Sequence, residues 1–225
     1  MPGFRFDRQS IITTLIIINV AIFLLDAFTP RLTAYDMLPG LPDDPAAVVD
    51  LGDGQLTTVE NLKSIKTEGH WLGEILALKA DRPWELWTYL THGFAHASIT
   101  SKLGIFHVGF NMLTLFFLGQ FVEQHLGRSE FLKFYLIAIV VGGVAWLLIQ
   151  LLTGGQGSIV GASGAVSAVV VYFIFLMPQA RLLLMGIIPV PAWGVGVMFL
   201  VMNLYHAMTA SQIAWEAHLA GGAFG

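Results

Sequence analysis

Between Phe134 and Ala180 the chain reads FYLIAIVVGGVAWLLIQLLTGGQGSIVGASGAVSAVVVYFIFLMPQA, 47 consecutive residues without Asp, Glu, Lys or Arg. A helix crosses roughly 30 Å of hydrocarbon with about 20 apolar residues. The stretch is therefore about two spans long, far beyond the core helix of a soluble protein of 225 residues. Thr153-Gly154-Gly155-Gln156-Gly157-Ser158 is a cluster of turn-formers and helix N-cap types that divides it. This predicts two membrane helices, near Phe131–Leu152 and Ser158–Met177.

The same signal extends outward. Charge-free runs cover Gln9–Leu25, Leu103–Val122 and Leu182–Trp215. They predict helices over about Ser10–Phe28, Leu103–Gln124 and Leu182–Met208, the last bent by Pro189 and Pro191. A sixth segment begins near Trp215 and reaches Gly225, about half a span. Only 12% of residues are charged, against roughly 25% in soluble domains. Sixteen of the 26 charges fall between Thr29 and Lys102, a large loop. The fold class expected is all-α: a polytopic membrane bundle of six transmembrane helices, the last incomplete. One domain over residues 1–225 is expected, with the loop at about 29–102 between helices one and two and the sixth helix truncated at 225.

Orientation follows from the basic residues of short loops. Arg5, Arg8, Arg128, Lys133 and Arg181 fall on one side, which places the N-terminus in the cytoplasm. Helices two, four and six then enter from the outer face. Within the large loop, Trp71–Leu78 is apolar enough to lie in the membrane interface or to pack as a loop helix. A net charge of −4 without a basic block argues against a nucleic-acid partner. Without cysteine there is no thiolate nucleophile and no thiolate metal site.

Polar side chains at membrane depth are costly and need an explanation. Ser163 is expected about five residues into helix four, His218 about three into helix six and Asn111 about eight into helix two. At about 1.5 Å per residue, all three lie roughly 5–12 Å below the outer face. Taken singly, Ser163 reads as a packing residue among Gly161, Gly164 and Ala165, and Asn111 as an interhelical hydrogen bond. Their convergence from three helices points to chemistry. A serine hydroxyl attacks a carbonyl only when a base takes its proton, and histidine is the usual base. A tetrahedral intermediate then needs donors aimed at its oxyanion. His107 and Asn111, spaced i, i+4, share a helix face and supply imidazole and amide donors. No acidic residue is expected at that depth, so a Ser-His dyad is what the composition permits.

These residues resemble the motifs of the rhomboid family of intramembrane serine proteases, in its bacterial-type six-helix form. Trp87 with Thr91-His92 looks like the end of that family's first loop, and His107-Val108-Gly109-Phe110-Asn111 fits its His-x-x-x-Asn. Glu123 and Gly127 match the Glu-x-x-x-Gly that closes the second helix, and Gly161-Ala162-Ser163-Gly164 fits the nucleophile motif. Ala217-His218-Leu219-Ala220-Gly221, with Gly225, matches the sixth helix. The resemblance implies Ser163 as nucleophile and His218 as general base. It assigns the oxyanion hole to His107, Asn111 and the Ser163 N–H. Ala217, Gly221 and Gly225 recur every four residues, a smooth stripe expected to bring helix six onto the Gly161/Gly164 face.

Two departures from the family pattern stand out. Thr88 follows Trp87 where an arginine is common, and ten residues separate His96 from His107. His92 and His96 have metal-like i, i+4 spacing without a third ligand, so a structural role is expected. The resulting expectation is a serine endopeptidase that needs no metal or cofactor. It hydrolyses a peptide bond in or near transmembrane segments of single-span or polytopic membrane-protein substrates in the lipid bilayer. Its site is expected to open to the outer side of a bacterial cytoplasmic (inner) membrane. The alternative is a catalytically inactive rhomboid-like protein that binds membrane-protein clients.

Overall fold

A backbone surrounded by hydrocarbon must pair its own N–H and C=O groups, so an uncharged apolar segment at that depth becomes a helix. The computed structural model describes residues 10–33, 40–50, 56–64, 66–99, 101, 104–184, 187–209 and 213–225. Arg5, Arg8 and Lys102, used above for orientation and loop limits, lie outside them, as does part of the segment between His96 and His107. In chain order the helices are α1 (Ile11–Asp26), α2 (Val59–Ser64), α3 (Trp71–Leu76), α4 (Thr88–Thr91), α5 (Gly104–Leu126), α6 (Arg128–Thr153), α7 (Ser163–Leu176), α8 (Ala192–Met208) and α9 (Trp215–Phe224). The strands are β1 (Arg31–Thr33), β2 (Val48–Asp50), β3 (Leu56–Thr58), β4 (Lys66–His70), β5 (Leu78–Lys79), β6 (Ser158–Ile159), β7 (Arg181–Leu184) and β8 (Ile188–Pro191). They form antiparallel pairs β1–β4, β2–β3, β5–β6 and β7–β8.

The molecule is a helical membrane bundle. Helices α5 and α6, of 23 and 26 residues, are each long and apolar enough to cross a bilayer, and α1, α7 and α8 are shorter apolar helices. Helix α7 lies at the centre, packed by α5, α6, α8 and α9. Its residues Gly164, Ala165, Val166, Ser167, Ala168 and Val169 are buried in unbroken succession, as a helix covered on every side requires. Outer helices show the reverse of a soluble pattern. Ile17, Leu24, Phe110, Phe117, Val197 and Val201 face outward, while Asn19, Asn111 and Asn203 are buried. Apolar side chains toward lipid and amides toward the interior suit a bilayer.

Two expected helices begin later than the charge-free runs suggested. The run after Arg181 opens as the β7–β8 hairpin, with Pro189 and Pro191 in its second strand, and α8 starts only at Ala192. The prolines therefore precede the helix and do not bend it, because Pro removes an N–H donor that a helix interior needs. Likewise Ser158 and Ile159 pair with Lys79 and Leu78 as strands, so α7 begins at Ser163 instead of near Ser158. Between Trp71 and Leu78 the loop does form a short helix, α3, with Trp71 exposed and Leu78 buried.

Glu123 and Gly127 join three helices at the far end of the bundle. The Ser10 hydroxyl donates to Glu123 Oε2, and the Ile11 N–H donates to Oε1 at 2.9 Å. The carboxylate thus sits at the α1 N-terminus, where unpaired N–H groups and the helix dipole favour negative charge. Gly127 has φ +84°, a left-handed conformation that turns the chain from α5 into α6 while its N–H donates to Glu123 O at 2.8 Å. Replacing Glu123 by Ala removes both anchors of α1, and a stability loss of about 1–2 kcal/mol is expected. Denaturant unfolding in detergent measures it; a midpoint equal to wild type would contradict the capping role.

Candidate active site

Ser163 owes its position to the chain just before it. Strand β6 is pinned to the large loop through Leu78 and Lys79, and the Ala80 N–H donates to Gly157 O at 3.1 Å. Two residues on, the Gly161 N–H donates to His92 O at 2.8 Å. Gly161 adopts φ +129°, and a Cβ there would lie 2.8 Å from the His107 ring. Both facts require glycine. The chain then turns directly into α7, with Ser163 its first residue. First-turn N–H groups of a helix have no intrahelical acceptor and carry its positive dipole end, so they are suited to a developing anion.

The partner histidine arrives on α9, which approaches α7 more closely than side chains permit. A Cβ on Gly221 would fall 2.0 Å from the Gly164 carbonyl oxygen, and one on Gly225 2.2 Å from that of Ala168. The stripe predicted from the four-residue recurrence therefore meets Gly164 and Ala168. Gly161 instead faces His107, and Gly142 of α6 lies against the Ala217 carbonyl. With the helices in contact, His218 Nε2 lies 2.8 Å from Ser163 Oγ. Both side chains are half-buried.

On its other side His218 Nδ1 lies 3.0 Å from Asn203 Oδ1 on α8. Asn203 did not emerge from the sequence reading. Its signal was present: an amide inside a long uncharged run is a site hypothesis in its own right. Counting depth only on helices that enter from the outer face passed over α8, which runs the other way. Asn203 is five residues from the α8 end, about 8 Å deep by the same arithmetic.

The His107 ring lies beside Gly161, where a Cβ would meet both that ring and, at 3.6 Å, Ser163 Oγ. The Ala97 N–H donates to His107 Nδ1 at 3.5 Å, which leaves the proton on Nε2, the atom turned toward Gly161. Asn111 is buried one turn further along α5. Its Nδ2 donates to His107 O at 2.8 Å and retains a second amide hydrogen. The ring of His96 packs edge-on against that of His107, centroids 5.2 Å apart. His92 is structural in its contacts: Nδ1 pairs with Thr88 O at 2.8 Å, and the ring fills the space beside Gly143. Burial lowers the pKa of both loop histidines, that of His96 to about 3, with the neighbouring His107 adding to the effect.

Chemically the arrangement offers a hydroxyl hydrogen-bonded to an imidazole, with helix N–H groups, an imidazole N–H and an amide close by. Comparison with known proteins places the chain in a family. A family model, the Rhomboid domain, matches residues 83–225. RHOMBOID-like protein 12, mitochondrial, of Arabidopsis thaliana is 33% identical over 61% of this chain and 44% of its own length. Rhomboid protein 1, mitochondrial, of Saccharomyces cerevisiae is 32% identical over 56% and 41%. The mouse presenilin-associated rhomboid-like protein, mitochondrial, is 29% identical over 57% and 35%. The matched part of this chain thus spans less than half the length of these relatives. Their mitochondrial, eukaryotic character contradicts the expectation of a bacterial cytoplasmic membrane. Basic loops indicate which segments share a side, and they carry no information on whether the bilayer is bacterial or organellar.

Two outcomes test this geometry. Gly221→Leu places a side chain inside the Gly164 carbonyl and is expected to cut the reactivity of Ser163 toward a fluorophosphonate at least about tenfold; undiminished labelling would contradict the close approach. Because His96 stays neutral in the fold down to about pH 3 while its unfolded value is 6.5, acid favours the unfolded chain. Stability contributed by the neutral site is complete above about 6.5 and lost as pH falls toward 3. A His96→Phe variant should show a shallower loss of stability over that window in pH-dependent unfolding; an unchanged slope would contradict it.

Proposed function

Since the chain belongs to the rhomboid family, we propose that it is an intramembrane serine endopeptidase that cleaves a peptide bond in or near the transmembrane segments of other membrane proteins. The observation that carries this reading is the 2.8 Å contact between His218 Nε2 and Ser163 Oγ, made by helices distant in sequence. Packing alone would not require a hydroxyl and an imidazole to meet at the one place where a helix begins.

In the proposed reaction Ser163 Oγ attacks the substrate carbonyl while its proton passes to His218 Nε2. The carbonyl oxygen, now an oxyanion, is received by the Ser163 N–H, the His107 Nε2–H and the free amide hydrogen of Asn111. As the tetrahedral intermediate collapses, the C–N bond breaks and His218 returns the proton to the departing amine. An acyl-enzyme on Ser163 remains. Water, deprotonated by His218, attacks the ester carbonyl and releases the second product with Ser163 restored. Ser163 and His218 are only partly buried, which supports access for that water. A substrate helix hides its carbonyls in its own hydrogen bonds, so the segment must unwind locally before Oγ can approach. Gly or Pro near the cleavage point weakens the helix and favours that step; a small residue there is what the family resemblance implies. We assign the whole chain, residues 1–225, to one functional unit, with the large loop anchoring the segment before Ser163.

Co-expression with tagged single-span membrane proteins tests the proposal. Ser163→Ala and His218→Ala are expected to lower cleavage at least about 10³-fold, and Asn111→Ala to lower kcat by about 10²–10³ with KM little changed. Identical fragment patterns in wild type and Ser163→Ala would overturn the protease reading and favour a client-binding protein.

A further inference from the structure

Helix α8 is the most lipid-facing of the helices that surround α7. Trp193, Val197, Leu200, Val201, Leu204 and Tyr205 are exposed along it, and only Ala192 and Asn203 are buried. Asn203 is the buried polar residue of this helix, and it meets His218; His206, one turn on, is partly buried. An amide in that position is expensive unless every part of it is paired. Both parts are. Nδ2 donates to Phe199 O at 2.8 Å, and Oδ1 lies 3.0 Å from His218 Nδ1.

The two bonds together settle a protonation pattern. A backbone carbonyl only accepts, so the atom facing Phe199 O is the NH₂ group and the atom facing the imidazole is the oxygen. An amide oxygen also only accepts, so His218 Nδ1 must carry a proton. In the neutral ring the other nitrogen, Nε2, then holds the lone pair, and it points at Ser163 Oγ. We propose that Asn203 is the positioning residue of the Ser163–His218 pair: it holds the ring in the tautomer that can accept the serine proton and braces the imidazolium that forms when it does. This inference rests on the protease reading above. Asn203 does without charge what an acidic orienter does in a triad, and a neutral amide costs far less than a carboxylate at membrane depth.

The role acts through His218, so its mark lies in turnover rather than in substrate affinity. Losing the bond leaves the ring free to rotate and to adopt the wrong tautomer. In Asn203→Ala, kcat is expected to fall about 10–100-fold at unchanged KM, the range for one hydrogen bond to a charged group. Asn203→Asp keeps an acceptor opposite Nδ1 and is expected to recover most of that loss. Wild-type kcat in Asn203→Ala would overturn the inference. So would a loss that follows the thermal stability of the variant and is not recovered in Asn203→Asp, since that is the behaviour of an interhelical tie alone.

A readout independent of activity is the ¹⁵N spectrum of histidine-labelled protein in detergent, with His218→Ala identifying the signals. The expected result is Nδ1 protonated and Nε2 bare in wild type, with the opposite tautomer gaining population in Asn203→Ala. A wild-type ring protonated on Nε2 contradicts the inference whatever the reaction. If Ser163→Ala cleaves like wild type, the protease reading fails by itself, and the tautomer still reports on the Asn203–His218 pairing directly.

Discussion

Everything at the site depends on two helices touching backbone to backbone. Helix α9 meets α7 where Gly221 faces the Gly164 carbonyl and Gly225 that of Ala168, with no room for a β-carbon at either point. Lipid offers no hydrophobic drive for helices to associate, so contact of this kind rests on dispersion over a smooth surface. The gain is positional. A histidine 55 residues away in sequence comes within hydrogen-bond reach of a serine, and a third helix supplies an amide to its far nitrogen. Methyl groups in place of those glycine hydrogens would separate the helices by more than a hydrogen bond tolerates.

Around that contact the polar features of the fold serve geometry. The large loop is stitched to residues 157–161 by the β5–β6 pair and by the carbonyl of His92. Gly161 then turns so that Ser163 opens α7, and the hydroxyl sits among N–H groups that the helix leaves unpaired. At the far end Glu123 and Gly127 bind α1, α5 and α6 together. Charge is thus sparse because the bilayer penalises it, and the buried carboxylate of Glu123 answers a specific need.

Much of this was legible in the residues. Charge-free length revealed the helices because hydrocarbon leaves a backbone few alternatives; Ser163, His218 and Asn111 emerged because three helices carry polar groups to one depth, and His107 from its i, i+4 spacing to Asn111. Helix starts were less legible. An uncharged segment can be strand as well as helix, so Arg181–Leu184, Ile188–Pro191 and Ser158–Ile159 carried no mark of their pairing, and the prolines suggested a bend where they form part of a paired strand. Asn203 escaped because its helix runs the other way, so that its depth is counted from the helix end. The membrane itself was misassigned, since composition reports a bilayer and not its owner; the mitochondrial relatives corrected it.

We propose that the α7–α9 contact turns Ser163 into a nucleophile with His218 as its base. The most direct measurement is mass-spectrometric mapping of a fluorophosphonate adduct on the full chain reconstituted in liposomes. The account predicts a single modified residue, Ser163, and no adduct in His218→Ala. An adduct on another serine, or equal modification of Ser163 without His218, would contradict it.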